Sequence, residues 1–136
     1  MHNIIIGLLA WIGMNSPYDT NLATPNIVMT ELHNMCAQYG INNKKRCQDS
    51  RIQGFFNKHH TIYLKLDFEQ DDKNDQSKLV HELVHYVQWK NGRHKTTCLG
   101  HLELEAYVIQ DQWRMQNGLE PKLDEFNKMM LQASCE

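Results

Sequence analysis

His81-Glu82-Leu83-Val84-His85 lies in a segment whose apolar residues, Leu79, Val80, Leu83, Val84 and Val87, recur at helical spacing. Residues four apart on a helix share a face, so the pattern predicts a helix that aims two imidazoles at one point. Such a pair can hold a zinc ion, and Glu82 beside the first imidazole can act as general base toward a water on that ion. The expected chemistry is metal-assisted hydrolysis. Asp75 or Ser77 is expected to cap this helix and Asn91-Gly92 to end it.

A catalytic tetrahedral zinc takes three protein ligands and leaves its fourth position to water. The third ligand must come from another element. The next helical pattern, Leu102 to Gln116, offers Glu103 and Glu105, about 200 degrees apart around the axis. Leu102, Ala106, Ile109 and Trp113 form its apolar stripe, and small Ala106 permits close approach to the motif helix. Glu103 falls beside the stripe, on a polar seam with Tyr107 and Gln110, whereas Glu105 projects nearer Gln112. Glu103 is therefore favoured as third ligand over Glu105, with His94 and His101 as further alternatives. Tyr107, Tyr63 and His101 are candidate donors to an oxyanion. Gln88, one turn beyond His85, is placed to orient the second imidazole or simply to be a satisfied surface glutamine. Tyr86 and Trp89 read as packing residues.

Upstream, Ile4 to Met14 predicts a first helix stopped before Ser16-Pro17, and its apolar run also has the length of a signal-peptide core. It is too short to span a bilayer. Asn26 to Met29 is a strand candidate, and Thr30 is expected to cap a helix reaching about Tyr39 before Gly40. Asn42 to Ser50 reads as a polar loop. Arg51 to Phe56 and His60 to Phe68 read as strands around Asn57-Lys58-His59, and Thr61 to Leu66 could offer a backbone edge to an extended peptide. In the second strand Ile62, Leu64 and Leu66 share one face and Thr61, Tyr63, Lys65 and Asp67 the other. Lys122 to Gln132 reads as a last helix with Phe126, Met129 and Met130 packing inward. The whole is an α+β class chain.

Its 136 residues suit one domain, 1–136. With 14 Lys plus Arg against 16 Asp plus Glu, it lacks the basic footprint of a nucleic-acid binder, and Lys44-Lys45-Arg46 reads as a solvated turn. Four cysteines allow three pairings, of which Cys36 with Cys47 and Cys98 with Cys135 are the plausible ones. Four free thiols are the alternative. Paired cysteines imply a periplasmic or secreted protein, free ones a cytoplasmic protein.

His81-Glu82-Leu83-Val84-His85 with Gln88, then Glu103-x-Glu105-Ala106-Tyr107-x-x-Gln110, preceded by the strand-like Thr61 to Leu66, resembles the small bacterial and phage zinc metallopeptidases of the gluzincin class. The likeness covers roughly Phe55 to Gln112. It implies a minimal zincin-like α+β domain, in which a small antiparallel or mixed sheet packs on the motif helix and a following glutamate-bearing helix. It further implies Zn2+ held by His81, His85 and Glu103, Glu82 as general base, and Tyr107 against the first histidine. The implied reaction is hydrolysis of a peptide or protein substrate by a monomer with no membrane span. Larger gluzincins such as thermolysin usually carry Asp or Asn where this chain has Tyr107, and they bring a separate domain to the other cleft wall. A non-catalytic, zinc-stabilised binding module and a zinc amidase acting on cell-wall peptides are the competing readings.

Overall fold

Leu79, Val80, Leu83, Val84 and Val87 are all fully buried, so the helix that carries them runs through the centre of the molecule. The computed structural model describes residues 1–49, 54–56 and 60–135. Its elements are α1 (His2–Met14), β1 (Asn26–Thr30), α2 (Leu32–Gln38), α3 (Lys44–Asp49), β2 (Gly54–Phe56), β3 (Thr61–Lys65) and α4 (Lys73–Lys90), followed by a 3-10 turn (Arg93–Lys95), α5 (Leu99–Gln116) and α6 (Glu125–Ala133). It is a mainly helical α+β fold with a small mixed sheet, in which α4 bears the motif and α5 the downstream glutamates.

The start of α4 differs from expectation. Asp72 is the N-cap, accepting the Asn74 N–H at 2.8 Å. Asp75 lies in the first turn, where it accepts the Glu69 N–H at 2.8 Å and pairs with Lys78 at 3.0 Å. Burial disfavours the Asp75 charge, but those partners outweigh it and hold the carboxyl below its ordinary range. Ser77 is buried inside the helix and donates to the Asn74 carbonyl. Periodicity located the helix, while the cap was set by which carboxylate meets a free amide.

The sheet has order β1-β3-β2, with β1 parallel and β2 antiparallel to β3. Ile62 and Leu64 are fully buried, while Thr61, Tyr63 and Lys65 are half-buried, as alternation predicted. Leu66 departs from the pattern: β3 ends at Lys65, the Phe68 N–H turns back onto the Lys65 carbonyl, and Leu66 is 59% exposed. The expected free edge on Thr61 to Leu66 is also corrected, because β3 is the central strand with a partner on each side. Of the strand expected over Arg51 to Phe56, Gly54–Phe56 forms; residues 51–53 and the expected turn at 57–59 lie outside the described residues.

Thr30 closes β1, and Glu31 takes the N-cap position of α2. The polar stretch expected as a loop contains α3. Asn43 starts it, taking the Arg46 N–H on its side chain and the Cys47 N–H on its carbonyl. A helix of this length is not sustained by propensity alone; the buried Cys36–Cys47 disulfide ties it to α2. A second disulfide, Cys98–Cys135, links the N-cap of α5 to the end of α6.

The last helix begins later than expected, because the Lys122 and Leu123 N–H groups donate to the buried Asp111 carboxylate and Asp124 then caps. Phe126, Met129 and Met130 do not pack inward as expected; they are 63%, 56% and 54% exposed. Gly100 meets the Leu131 carbonyl, where an added Cβ would lie 2.6 Å away, so backbone approach and the disulfide hold α6 in place of an apolar face. At the other end, Ile5, Leu8, Leu9 and Ile12 of α1 join the core cluster with Ile62, Leu64, the apolar residues of α4, and Ala106, Ile109 and Trp113 of α5. Among the described residues, no helix is long and apolar enough to cross a membrane.

Candidate metal centre

The fully buried Ala106 lets α5 lie close against α4, which brings Glu103 to the motif histidines. Glu103 Oε1 is 2.5 Å from His81 Nε2 and 3.5 Å from His85 Nε2. One ligand atom from each of the three residues lies within 4.8 Å of the other two. Glu105 points elsewhere, accepting from the Gln88 amide at 2.9 Å and from the Tyr18 hydroxyl. The cluster matches an H-E-x-x-H plus glutamate, zincin-like arrangement.

Both imidazoles are held from behind. Gln110 Oε1 lies 3.0 Å from His81 Nδ1, and Gln88 Oε1 lies 2.9 Å from His85 Nδ1. The Gln88 orientation is chemically forced, since its Nε2 donates to the Leu102 carbonyl and to Glu105, each at 2.9 Å. An amide oxygen only accepts, so each Nδ1 donates to its glutamine and Nε2 is the nitrogen that each ring turns toward Glu103. Two imidazole nitrogens and a carboxylate oxygen, with tautomers fixed by hydrogen bonds behind the rings, are a donor set suited to zinc.

Electrostatics tie the same groups together. Burial disfavours the charge on His85, but the Glu103 hydrogen bond, the Glu82 and Glu103 charges and Gln88 outweigh it and push the imidazolium pKa up to about 9. Burial likewise opposes ionisation of Glu103, yet its hydrogen bonds to His81 and His85 hold it well below the usual carboxylate range.

Glu82 is buried on the sheet side of α4, against Gly54 at the start of β2. A Cβ at residue 54 would sit 3.1 Å from Glu82 Cγ, so the bare strand backbone makes room for this carboxylate. Tyr107 packs its ring on His81, with centroids 4.5 Å apart, while the hydrogen bond to that ring comes from Gln110 one turn further on. Burial, followed by the charges of Glu103, Glu82 and Asp111, raises the Tyr107 phenol.

The other residues weighed from sequence fall outside the cluster. Tyr63 sits half-buried in β3, and His94 stacks on Trp89 with centroids 3.6 Å apart. His101 lies by the Cys98–Cys135 disulfide. Tyr86 is buried and donates to the Ala23 carbonyl. Tyr39 is the residue that sequence reasoning missed. Burial and then the charges of Glu82 and Glu103 raise its phenol, which places it in the field of the site. It follows α2, where no motif or spacing signals it; only the disulfide-linked pair of α2 and α3 delivers it there.

No curated protein and no solved structure matches the chain. A family model does match, over residues 1–136, and the chain belongs to that family, described as a domain of unknown function (DUF6647).

Proposed function

We propose that this chain is a zinc-dependent metallopeptidase of the gluzincin type, with His81, His85 and Glu103 as the metal ligands and Glu82 as the general base. The observation that carries the reading is the pair of Nδ1–H···Oε1 contacts from the imidazoles to Gln88 and Gln110, which leaves both Nε2 atoms, the nitrogens that would ligate, converging on Glu103. A structural packing role for the histidines needs no such matched tautomers. Zinc, when bound, supplies Lewis acidity toward a water and a scissile carbonyl.

The chain's own groups do the rest. Glu82 takes the proton of the attacking water and delivers it to the leaving amine. Tyr107, a phenol that burial pushes further up from its ordinary value, donates toward the oxyanion as charge develops there. Among the described residues β2 pairs only on its β3 side, so its other side can take an extended peptide as an added strand past Gly54. Backbone pairing of that kind selects polypeptide with modest demand on sequence. The two disulfides suit an oxidising compartment, periplasmic or extracellular.

The test is zinc stoichiometry combined with cleavage of a mixed peptide library read by mass spectrometry. Glu82→Gln should keep zinc and lose about 100-fold or more in turnover. His81→Ala should lose the metal. Wild-type cleavage by Glu82→Gln, or full zinc content in His81→Ala, refutes the proposal.

A further inference from the structure

We infer that Glu105, the downstream carboxylate that does not meet the histidine pair, is a positioning residue for the metal centre, acting through the Gln88 amide to fix which nitrogen of His85 bears the proton. The inference rests on the zinc reading above and extends it to a second layer of residues.

Gln88 is only 1% exposed, so its amide has no water to fall back on. Its Nε2 has two acceptors, the Leu102 carbonyl and Glu105 Oε1, and its Oε1 faces His85 Nδ1. Rotating the amide by half a turn would set its oxygen against a carbonyl and a carboxylate, neither of which can donate. The flipped amide would present an N–H to Nδ1 and move the imidazole proton to Nε2, the nitrogen that must ligate. Leu102 alone opposes that flip with one neutral hydrogen bond; Glu105 adds a charged one, which is roughly twice as strong. A carboxylate on the far side of the amide also polarises it, making Oε1 a better acceptor for the imidazole.

Glu105 is itself held. The Tyr18 hydroxyl donates to it, and the Arg93 Nε donates to that hydroxyl at 3.1 Å. Tyr18 belongs to the segment after α1, which is pinned to the end of α4: the Asp19 N–H donates to Asn91 Oδ1 at 3.1 Å, and the Asn91 amide donates to the Asp19 carbonyl at 2.9 Å. The N-terminal segment, the 3-10 turn and α5 thus converge on one amide behind one ligand. Two arms, Arg93 through Tyr18 and His85 through Gln88, donate toward the Glu105 carboxylate at their centre.

The test has two readouts. In the first, zinc affinity is measured by chelator competition. Glu105→Leu should weaken binding about 10- to 100-fold, as loss of an outer partner does, and Gln88→Leu should do the same. The double substitution should be no weaker than Gln88→Leu alone, because Glu105 acts only through the amide. Glu105→Gln, which keeps an acceptor oxygen, should restore affinity to within about threefold of wild type. In the second, 15N spectra of the imidazoles in metal-free Glu103→Ala protein at alkaline pH, where Nε2 no longer faces that carboxylate, should show the Nδ1–H tautomer of His85, and a mixture once Glu105→Leu is added. Tyr18→Phe, which leaves the helices' packing in place, should shift both readouts in the same direction and keeps the inference open to refutation should Glu105→Leu not fold.

Unchanged affinity and an unchanged tautomer in Glu105→Leu, or full additivity in the double variant, overturns the inference. The Nδ1–H tautomer with its Glu105 dependence, in a protein whose wild type binds no zinc, sinks the peptidase reading while the positioning role stands.

Discussion

Gly54→Ala tests whether the bare backbone beside Glu82 matters. In a strand, glycine to alanine ordinarily stabilises by about 0.5–1 kcal/mol by reducing the freedom of the unfolded chain. Here the added Cβ would lie 3.1 Å from Glu82 Cγ, and 3.4 Å from both Leu64 Cδ2 and the Tyr63 carbonyl oxygen. Carbon atoms settle at about 3.5–4.0 Å, so Glu82 must retreat by roughly half an ångström. The neighbouring Leu83 and Leu64 are fully buried and cannot give, so the shift falls on the Glu82 torsions, at about 0.5–1.5 kcal/mol for a displaced rotamer. The two effects nearly cancel in stability, and the melting temperature should move by only a few degrees. Turnover should not be spared. A catalytic group displaced by about 1 Å loses on the order of 100-fold, so half that displacement predicts a loss of about tenfold, and more for Gly54→Val. Zinc content should be unchanged, since none of the three atoms nearest the added Cβ belongs to a proposed ligand. The assay pairs peptide-cleavage rates with metal analysis and thermal melts on the same preparations. Wild-type turnover in Gly54→Val would refute the claim that β2 sets the Glu82 position, and a loss of zinc would show that the strand shapes the ligands instead.

Three other outcomes follow from the same structure. Glu103→Ala should lose most of its zinc, whereas Glu105→Ala should keep a full equivalent with weaker affinity; the reverse result in metal analysis would exchange their roles. Asp75 has a folded pKa below its unfolded value of 3.8, so its contribution is present above that pH and is lost as pH falls through the folded value. Asp75→Asn should therefore be less stable than wild type near neutrality and show a shallower acid limb in denaturant melts, and parallel acid limbs would remove Asp75 from the account. Cys36 and Cys47 are both buried, while Cys98 is exposed, so graded reduction followed by alkylation and peptide mapping should open Cys98–Cys135 first. Earlier labelling of Cys36 or Cys47 would contradict the burial of α2 against α3.

The sites where local pattern misled share a cause. Phe126, Met129 and Met130 have helical spacing and form a helix, yet the α5–α6 contact at Gly100 is made by backbone and a disulfide, so their face is left outward. Lys44 to Asp49 looked like a loop because its composition is polar; a side-chain cap and a covalent link made it a helix. Thr61 to Leu66 was recognised as a strand, but its central position depends on β1 and β2, which approach from far along the chain.

By itself the amino-acid sequence determined what repeats over short distances: a buried helix from Leu79 to Val87, two imidazoles on one of its faces, Glu82 between them, and a downstream helix with Glu103 on the seam beside its apolar stripe. Those features follow from a 3.6-residue period and the burial of apolar side chains, which are local rules. Only the tertiary structure decided that Glu103 meets both Nε2 atoms, that Gln110 and Gln88 stand behind the rings, that Glu105 joins Tyr18, and that Tyr39 and Gly54 border the site. Each of those facts depends on the separation and rotation of elements brought together by packing, and a helix period carries no information about its distance to another helix.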